Sequence, residues 1–254
     1  MLIDTHAHLY SEDFDDDRDK IVRNAIQSGV QKIILPNIDE NSIESMLELS
    51  NAYPEVCFPL MGLHPTSVGE NYKDQLQIVE SWLGRRNFIA IGETGIDLYW
   101  DKNYQKEQED AFRIQLQIAR SLHKPVVIHI RNSFNEVYEI LNNEQDGNLC
   151  GVFHCFSGSI TEAQKIIDIG FSMGIGGVVT FKNSNLPETL QQVDIKHVIL
   201  ETDSPYLAPM PHRGKRNESA FLLKIADKVA NIYGIDVAEV SLKTTANAKM
   251  LFGI

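Results

Sequence analysis

The chain has no apolar run approaching the length of a membrane span, no charged and apolar leader at its start, and no low-complexity tract or internal repeat. These absences count against membrane-spanning, exported and solenoid proteins. The reading is a soluble cytoplasmic protein made of one domain over residues 1–254. Cysteine is scarce as well: Cys57, Cys150 and Cys155 are odd in number and lie in apolar runs, which predicts buried thiols and no disulfide framework. Basic residues are few, 23 Lys and Arg against 35 Asp and Glu, for a formal charge of −12. That balance argues against a protein that coats nucleic acid through a broad basic face. A phosphate substrate stays possible, because bound cations invert the local field while the surface remains acidic.

What is present is alternation. Apolar runs at Leu2 to Thr5, Lys32 to Leu35, Cys57 to Gly62, Phe88 to Gly92, Val126 to Ile130, Val152 to Cys155, Phe171 to Gly176 and His197 to Thr202 read as strands. Between them, apolar residues recur at helical spacing, as in Phe112, Leu116 and Ala119 or Ile160, Ala163 and Ile167. Ser159-Ile-Thr-Glu162 has the spacing of a capping box, and Gly170 stands where that helix would end. Pro187 shortens the crossover between the last two strands, and two amphipathic helices follow, one ending at Gly234 and one over about Val237 to Leu251. Eight strands alternating with helices predict an α/β fold, a (β/α)8 TIM-type barrel with additional C-terminal helices. A doubly wound open sheet is the alternative; it would normally carry a glycine-rich loop after the first strand, where this chain has His-x-His.

On a barrel, functional side chains gather at the C-terminal strand ends. Those positions hold His6 and His8, His64, Glu93, His129, His154 and Asp203. Period-two geometry puts His6 and His8 on one face of an extended chain, so their imidazoles converge. Strands one and eight are neighbours in a closed barrel, so His6, His8 and Asp203 form one cation group; His129 and His154, from strands five and six, form a second. Glu93 can give one oxygen to each, which suits two metals about 3.5–4 Å apart. A water bridging such a pair becomes a hydroxide nucleophile near neutral pH, with Asp203 as general base. The chemistry is metal-assisted hydrolysis. Two divalent cations are expected; mixed nitrogen and oxygen ligands suit Zn²⁺ or Mn²⁺ better than Mg²⁺, and the metal's identity stays open.

The set Asp4-Thr5-His6-Ala7-His8, Gly62-Leu63-His64-Pro65, Gly92-Glu93-Thr94-Gly95-Ile96-Asp97, Ile128-His129-Ile130-Arg131, His154-Cys155-Phe156-Ser157-Gly158, Glu201-Thr202-Asp203-Ser204-Pro205-Tyr206-Leu207 and Arg213-Gly214-Lys215-Arg216-Asn217 resembles the TatD family of metal-dependent hydrolases, within the amidohydrolase superfamily. The resemblance spans nearly the whole chain. It implies a barrel with one or two divalent cations and DNase activity of the 3′–5′ exonuclease type on single-stranded or damaged DNA. It also implies His6, His8, Glu93, His129, His154 and Asp203 as metal ligands, the same set read from the strand ends. Ester or amide substrates, as in the D-aminoacyl-tRNA deacylases of the family, are the alternative. One departure concerns Ser219, where relatives commonly have proline.

Four further residues are candidates for contacting the DNA substrate: His64, Arg131, Arg213 and Arg216. For the basic cluster, phosphate contact stands against a plain solvated loop. His64 would contact substrate or fix a neighbouring group. Asn217 reads as a helix N-cap, and Tyr99, Trp100 and Tyr206 either stack on bases or pack over the rim. His123, His197 and His212 have no assigned role. No exposed apolar stripe marks an interface, so a monomer is expected.

Overall fold

The computed structural model describes residues 1–100 and 102–254. Eight parallel strands run in sequence order: β1 (Leu2–Asp4), β2 (Val30–Leu35), β3 (Cys57–Pro59), β4 (Ile91–Asp97), β5 (Val126–Arg131), β6 (Gly151–Phe153), β7 (Ser172–Ile175) and β8 (Val198–Leu200). Ladders join β1 to β3 and β4 to β8. Single parallel bridges, Met61 with Ile91 and Ala7 with Ser204, close the two arcs into a barrel. At the second seam Thr5 N–H donates to the Leu200 carbonyl and Asp203 N–H to the His6 carbonyl. The barrel expected from the alternation is what forms.

The outer ring is α1 (Arg18–Gln27), α2 (Ile43–Ala52), α3 (Tyr72–Leu83), α4 (Gln105–Leu122), α5 (Phe134–Glu144), α6 (Ile160–Asp168), α7 (Leu186–Leu190), α8 (Leu222–Tyr233) and α9 (Val237–Phe252). Ser159 and Glu162 cap α6 reciprocally, and Gly170 follows it at φ +81°, a left-handed conformation open to glycine. With Pro187 in its first turn, α7 has only five residues. Inside the barrel, Ile3, Ile34, Leu60, Ala90, Val127, Val152 and Ile199 form an apolar layer joined by Ala248 and Phe252 of α9. Val127 shares a face with His129, and Val152 with His154, so the same inward alternation turns from apolar to polar toward the strand C-termini. No described helix is long and apolar enough to cross a membrane.

Two expectations are corrected. The fourth strand, read as Phe88 to Gly92, begins three residues later and extends to Asp97. Gly92-Glu-Thr-Gly95 looks like a turn, yet all seven strand residues are buried. The glycines are what let β4 lie against β5: a Cβ at Gly95 would stand 2.1 Å from the His129 carbonyl oxygen, and Gly95 has φ +140°. Of the cysteines, Cys57 is buried as predicted, but Cys155, just past β6, is only half-buried and Cys150, one residue before β6 begins, is exposed; all three thiols are free.

Candidate metal centre

Because Glu93 lies within β4 and not at its end, its carboxylate reaches the middle of the barrel mouth. Its two oxygens divide the surrounding histidines. Oε2 is 3.0 Å from His6 Nε2 and 3.8 Å from His8 Nε2; Oε1 is 2.7 Å from His129 Nδ1, 2.9 Å from His154 Nε2 and 3.4 Å from His64 Nε2. Burial, the largest influence, pushes the Glu93 carboxyl up. The neighbouring His154, His6 and His64 and the bond from His129 outweigh it and hold the group well below the usual carboxylate range.

Asp203 completes the other side, with Oδ1 3.9 Å from His6 Nε2 and 3.8 Å from His8 Nε2. It sits at φ +59° and its carboxyl is pushed up to about 6, first by burial; His154 and His6 oppose this, while Glu93 and Glu201 add to it. Three ligand groups are therefore within reach of a cation: His6, His8 and Asp203; His6, Glu93 and His154; His64, Glu93 and His129. The first is the group expected from strands one and eight. In the others, His154 stands nearer His6 than foreseen, their rings stacked at 3.9 Å, although His154 Nε2 remains 3.4 Å from His129 Nδ1.

The donor set fits divalent cations by its own chemistry. Both ring nitrogens of His6, and His154 Nδ1, are buried without a well-aligned hydrogen bond among the described residues, although His6 Nε2 faces Glu93 and His154 Nδ1 faces Glu201. An imidazole buried in that condition is costly unless something else takes its lone pair. His8 is oriented for the purpose: its Nδ1 is 3.0 Å from the Tyr10 hydroxyl, which itself donates to the Pro36 carbonyl, leaving Nε2 toward Glu93 and Asp203. Burial, with His6 next in effect, pulls His8 well below the ordinary histidine range, so it is neutral and able to ligate.

Several residues that hold this centre escaped the sequence reading. Asp97 Oδ2 lies 3.0 Å from His129 Nε2, and Glu201 Oε1 lies 3.4 Å from His154 Nδ1 while accepting from the Cys155 N–H at 2.5 Å. Each of these two histidines thus has a buried carboxylate on the side away from Glu93, the arrangement that fixes ring orientation in metal sites. Burial lowers both rings, but the carboxylates overcome it and raise His129 above, and His154 well above, the usual value. Gln108 and Gln115 of α4 brace β4: Gln115 bonds Leu63 in both directions and Thr94 Oγ1, and Gln108 brackets the Asp97 backbone. Two glutamines at i and i+7 on an otherwise apolar helix face were the available signal.

The remaining candidates occupy varied places. His64 is closer to Glu93 than a neighbour fixing substrate alone would need to be, and its Nδ1 accepts from Thr66 N–H at 3.1 Å. Arg131 is exposed at the mouth. Arg213 lies over the Phe181 ring at 4.2 Å; Arg216 covers Phe14 at 4.5 Å and bonds Asp17 Oδ2 at 2.7 Å and the Asp13 carbonyl at 2.6 Å. Asn217 is not the N-cap it resembles. It is fully buried, and its side chain donates to the Thr202 and Tyr206 carbonyls, pinning the segment that carries Asp203. Ser219 opens a 3-10 turn, Ser219–Phe221, at the first-turn position proline also suits, so that segment is regular without it.

A (β/α)8 barrel whose mouth carries five histidines and two carboxylates is the architecture of a metal-dependent hydrolase. The sequence profile described as TatD related DNase matches residues 3–253, and the chain belongs to that family. It is 33% identical over 255 residues to the "Uncharacterized metal-dependent hydrolase YabD" of Bacillus subtilis, covering all of both chains. It is 30% identical over 259 residues to the "3'-5' ssDNA/RNA exonuclease TatD" of Pantoea ananatis, again covering all of both. Among solved structures, the TatD homologue YJJV of Escherichia coli K12 superposes with a TM-score of 0.93 at 26% identity, over 100% of this chain and 98% of that one.

Proposed function

We propose that this protein is a DNase that removes nucleotides from single-stranded or damaged DNA in the 3′–5′ direction, using two divalent cations. One cation is assigned to His6, His8 and Asp203 and the other to His129 and His154, with Glu93 offering one oxygen to each. The observation that carries the reading is the division of the Glu93 oxygens, Oε2 toward His6 and His8 and Oε1 toward His129 and His154. The name of the Pantoea relative supports the nucleic-acid substrate and the direction.

When bound, divalent cations at such a site neutralise phosphate charge and lower the pKa of water toward neutrality. The protein's own part is positioning. Asp97 and Glu201 hold the two imidazoles, Tyr10 turns His8 inward, and the hydrogen bonds of Asn217 keep Asp203 at the mouth, where its carboxylate receives a proton as general base. His64, Arg131, Arg213 and Arg216 are assigned to substrate contact, the three arginines being exposed. The enzyme is taken to act as a cytoplasmic monomer.

The test uses metal-stripped protein on single-stranded oligonucleotides labelled at the 3′ or the 5′ end, with Mg²⁺, Mn²⁺ and Zn²⁺ restored separately, beside Asp203→Asn. The expected result is a cation-restored ladder, absent in the variant, with loss from the 3′ end. No cleavage by protein shown to bind the cation would overturn the DNase assignment and make aminoacyl esters the next substrates to assay.

A further inference from the structure

We infer that Tyr99, Trp100 and Arg131 form a seat on which an unpaired base of single-stranded nucleic acid stacks beside the metal centre, and that Asp97 keeps this seat in register with His129. The inference rests on the nuclease reading and names how that site grips its substrate.

Tyr99 and Trp100 follow the end of β4 after one intervening residue and do not pack over the rim: they are 54% and 69% exposed. Their rings meet edge to face at 4.9 Å. The Arg131 guanidinium lies 3.9 Å from the Tyr99 centroid and 5.0 Å from that of Trp100, so the cation braces the pair. The seat is tied to the centre through one carboxylate. Asp97 Oδ1 accepts from the backbone N–H of Tyr99 at 2.9 Å and of Trp100 at 3.3 Å, while Oδ2 takes His129 Nε2 at 3.0 Å. Asp97 is itself held by Gln108. A shift of the seat therefore pulls on the ring that faces Glu93.

Charge and shape together select the occupant. In a chain of net charge −12 an anionic strand needs local cations, and among the described residues Arg131 meets no carboxylate within ion-pair distance. Aromatic faces with an adjacent guanidinium accept any base and the phosphate beside it, which is the sequence-tolerant mode of single-strand binding. Bases within a duplex hide their faces, so the seat selects unpaired ones.

Trp100 can report directly once Trp82 is replaced, since the chain has only two tryptophans. In Trp82→Phe protein with Mg²⁺ present, adding oligothymidylate with uncleavable phosphorothioate linkages should quench the indole fluorescence. Trp100→Ala should raise KM for the cleavable oligonucleotide roughly 5- to 150-fold, the factor matching ~1–3 kcal/mol of stacking, with a smaller change in kcat. Trp100→Phe should recover most of that affinity. An oligonucleotide of abasic residues should bind the parent protein about as weakly as the normal one binds Trp100→Ala. If the parent cleaves oligonucleotides but shows no quenching and Trp100→Ala has an unaltered KM, the seat is refuted and the nuclease reading stands. If the parent hydrolyses bis(p-nitrophenyl) phosphate yet neither binds nor cleaves oligonucleotides, the nuclease reading fails and the seat falls with it. Asp97→Asn should weaken both oligonucleotide and metal binding; an effect on metal alone removes the register claim.

Discussion

Asp97 and His129 are joined at 3.0 Å through the ring nitrogen that points away from Glu93, so the imidazole is held from behind by one carboxylate while it faces another. This pairing fixes both ring orientation and tautomer in a metal-loaded state. Asp97→Asn retains the shape but can present its amide N–H₂ to the ring. Metal affinity, measured by competition with a chromophoric chelator, should fall about 10- to 100-fold. Unchanged affinity would show that His129 is held adequately by the barrel alone.

Glu201 fills the equivalent role behind His154, and Gly174 makes room for it. A Cβ at Gly174 would lie 2.1 Å from Glu201 Oε2, and Glu201 has no exposed surface into which to retreat. Gly174→Ala should therefore destabilise the fold by about 1–3 kcal/mol through overpacking, and should depress metal affinity by moving Glu201 against His154. Urea denaturation of the metal-free protein gives the first quantity and chelator competition the second. A variant as stable and as avid as the parent would mean that β7 and β8 separate easily at this point.

His129 and His154 were legible through strand parity, since they share faces with the inward Val127 and Val152, whereas His6 and His8 were legible only as a pair two residues apart, because they lie past β1 and are out of step with the inward Ile3. Asp97 and Glu201 were not legible. Each lies at or just past a strand end among other carboxylates, and nothing one-dimensional says which oxygen meets which ring. The bounds of β4 failed for a related reason, since Gly92 and Gly95 read as turn residues when their use is close approach to β5. Arg216 sits in a cluster that reads as a phosphate contact, yet residues 199 and 203 positions earlier in the chain, Asp17 and Asp13, already engage its guanidinium.

That contact has a pH signature. The hydrogen bond from Arg216 is the main cause holding the Asp17 carboxyl below its usual value of 3.8. A carboxylate with a depressed folded-state pKa stabilises the protein above the unfolded value, and the contribution disappears as pH falls through the folded one. Both side chains are about one-third exposed, at 34% and 31%, so the pair is worth only ~0.5 kcal/mol. Arg216→Ala should lower the melting temperature slightly at pH 7, with the deficit shrinking below about pH 3.8 and in high salt. A deficit independent of pH would assign the loss to the stacking of Arg216 on Phe14.

Removing the metal should test the centre as a whole. Without a cation, Glu93 and Asp203 are buried among histidines, the His6 nitrogens have no well-aligned hydrogen bond among the described residues, and the rings of His6 and His154 stack at 3.9 Å. Anything that binds only the folded chain stabilises it, by about 4.1 kcal/mol at a free concentration a thousand times Kd. For a chain of this size each kcal/mol is worth roughly 2–4 °C, so the melting temperature should rise by roughly 8–16 °C from chelator-treated to cation-saturated protein. Glu93→Gln should lose much of this rise, because the charge serving both ligand groups is gone while the side-chain volume is kept. Absence of any rise with Zn²⁺, Mn²⁺ or Mg²⁺ in the parent protein would sink the metal assignment. A rise that survives intact in Glu93→Gln would limit the centre to His6, His8 and Asp203, and with it to a single cation.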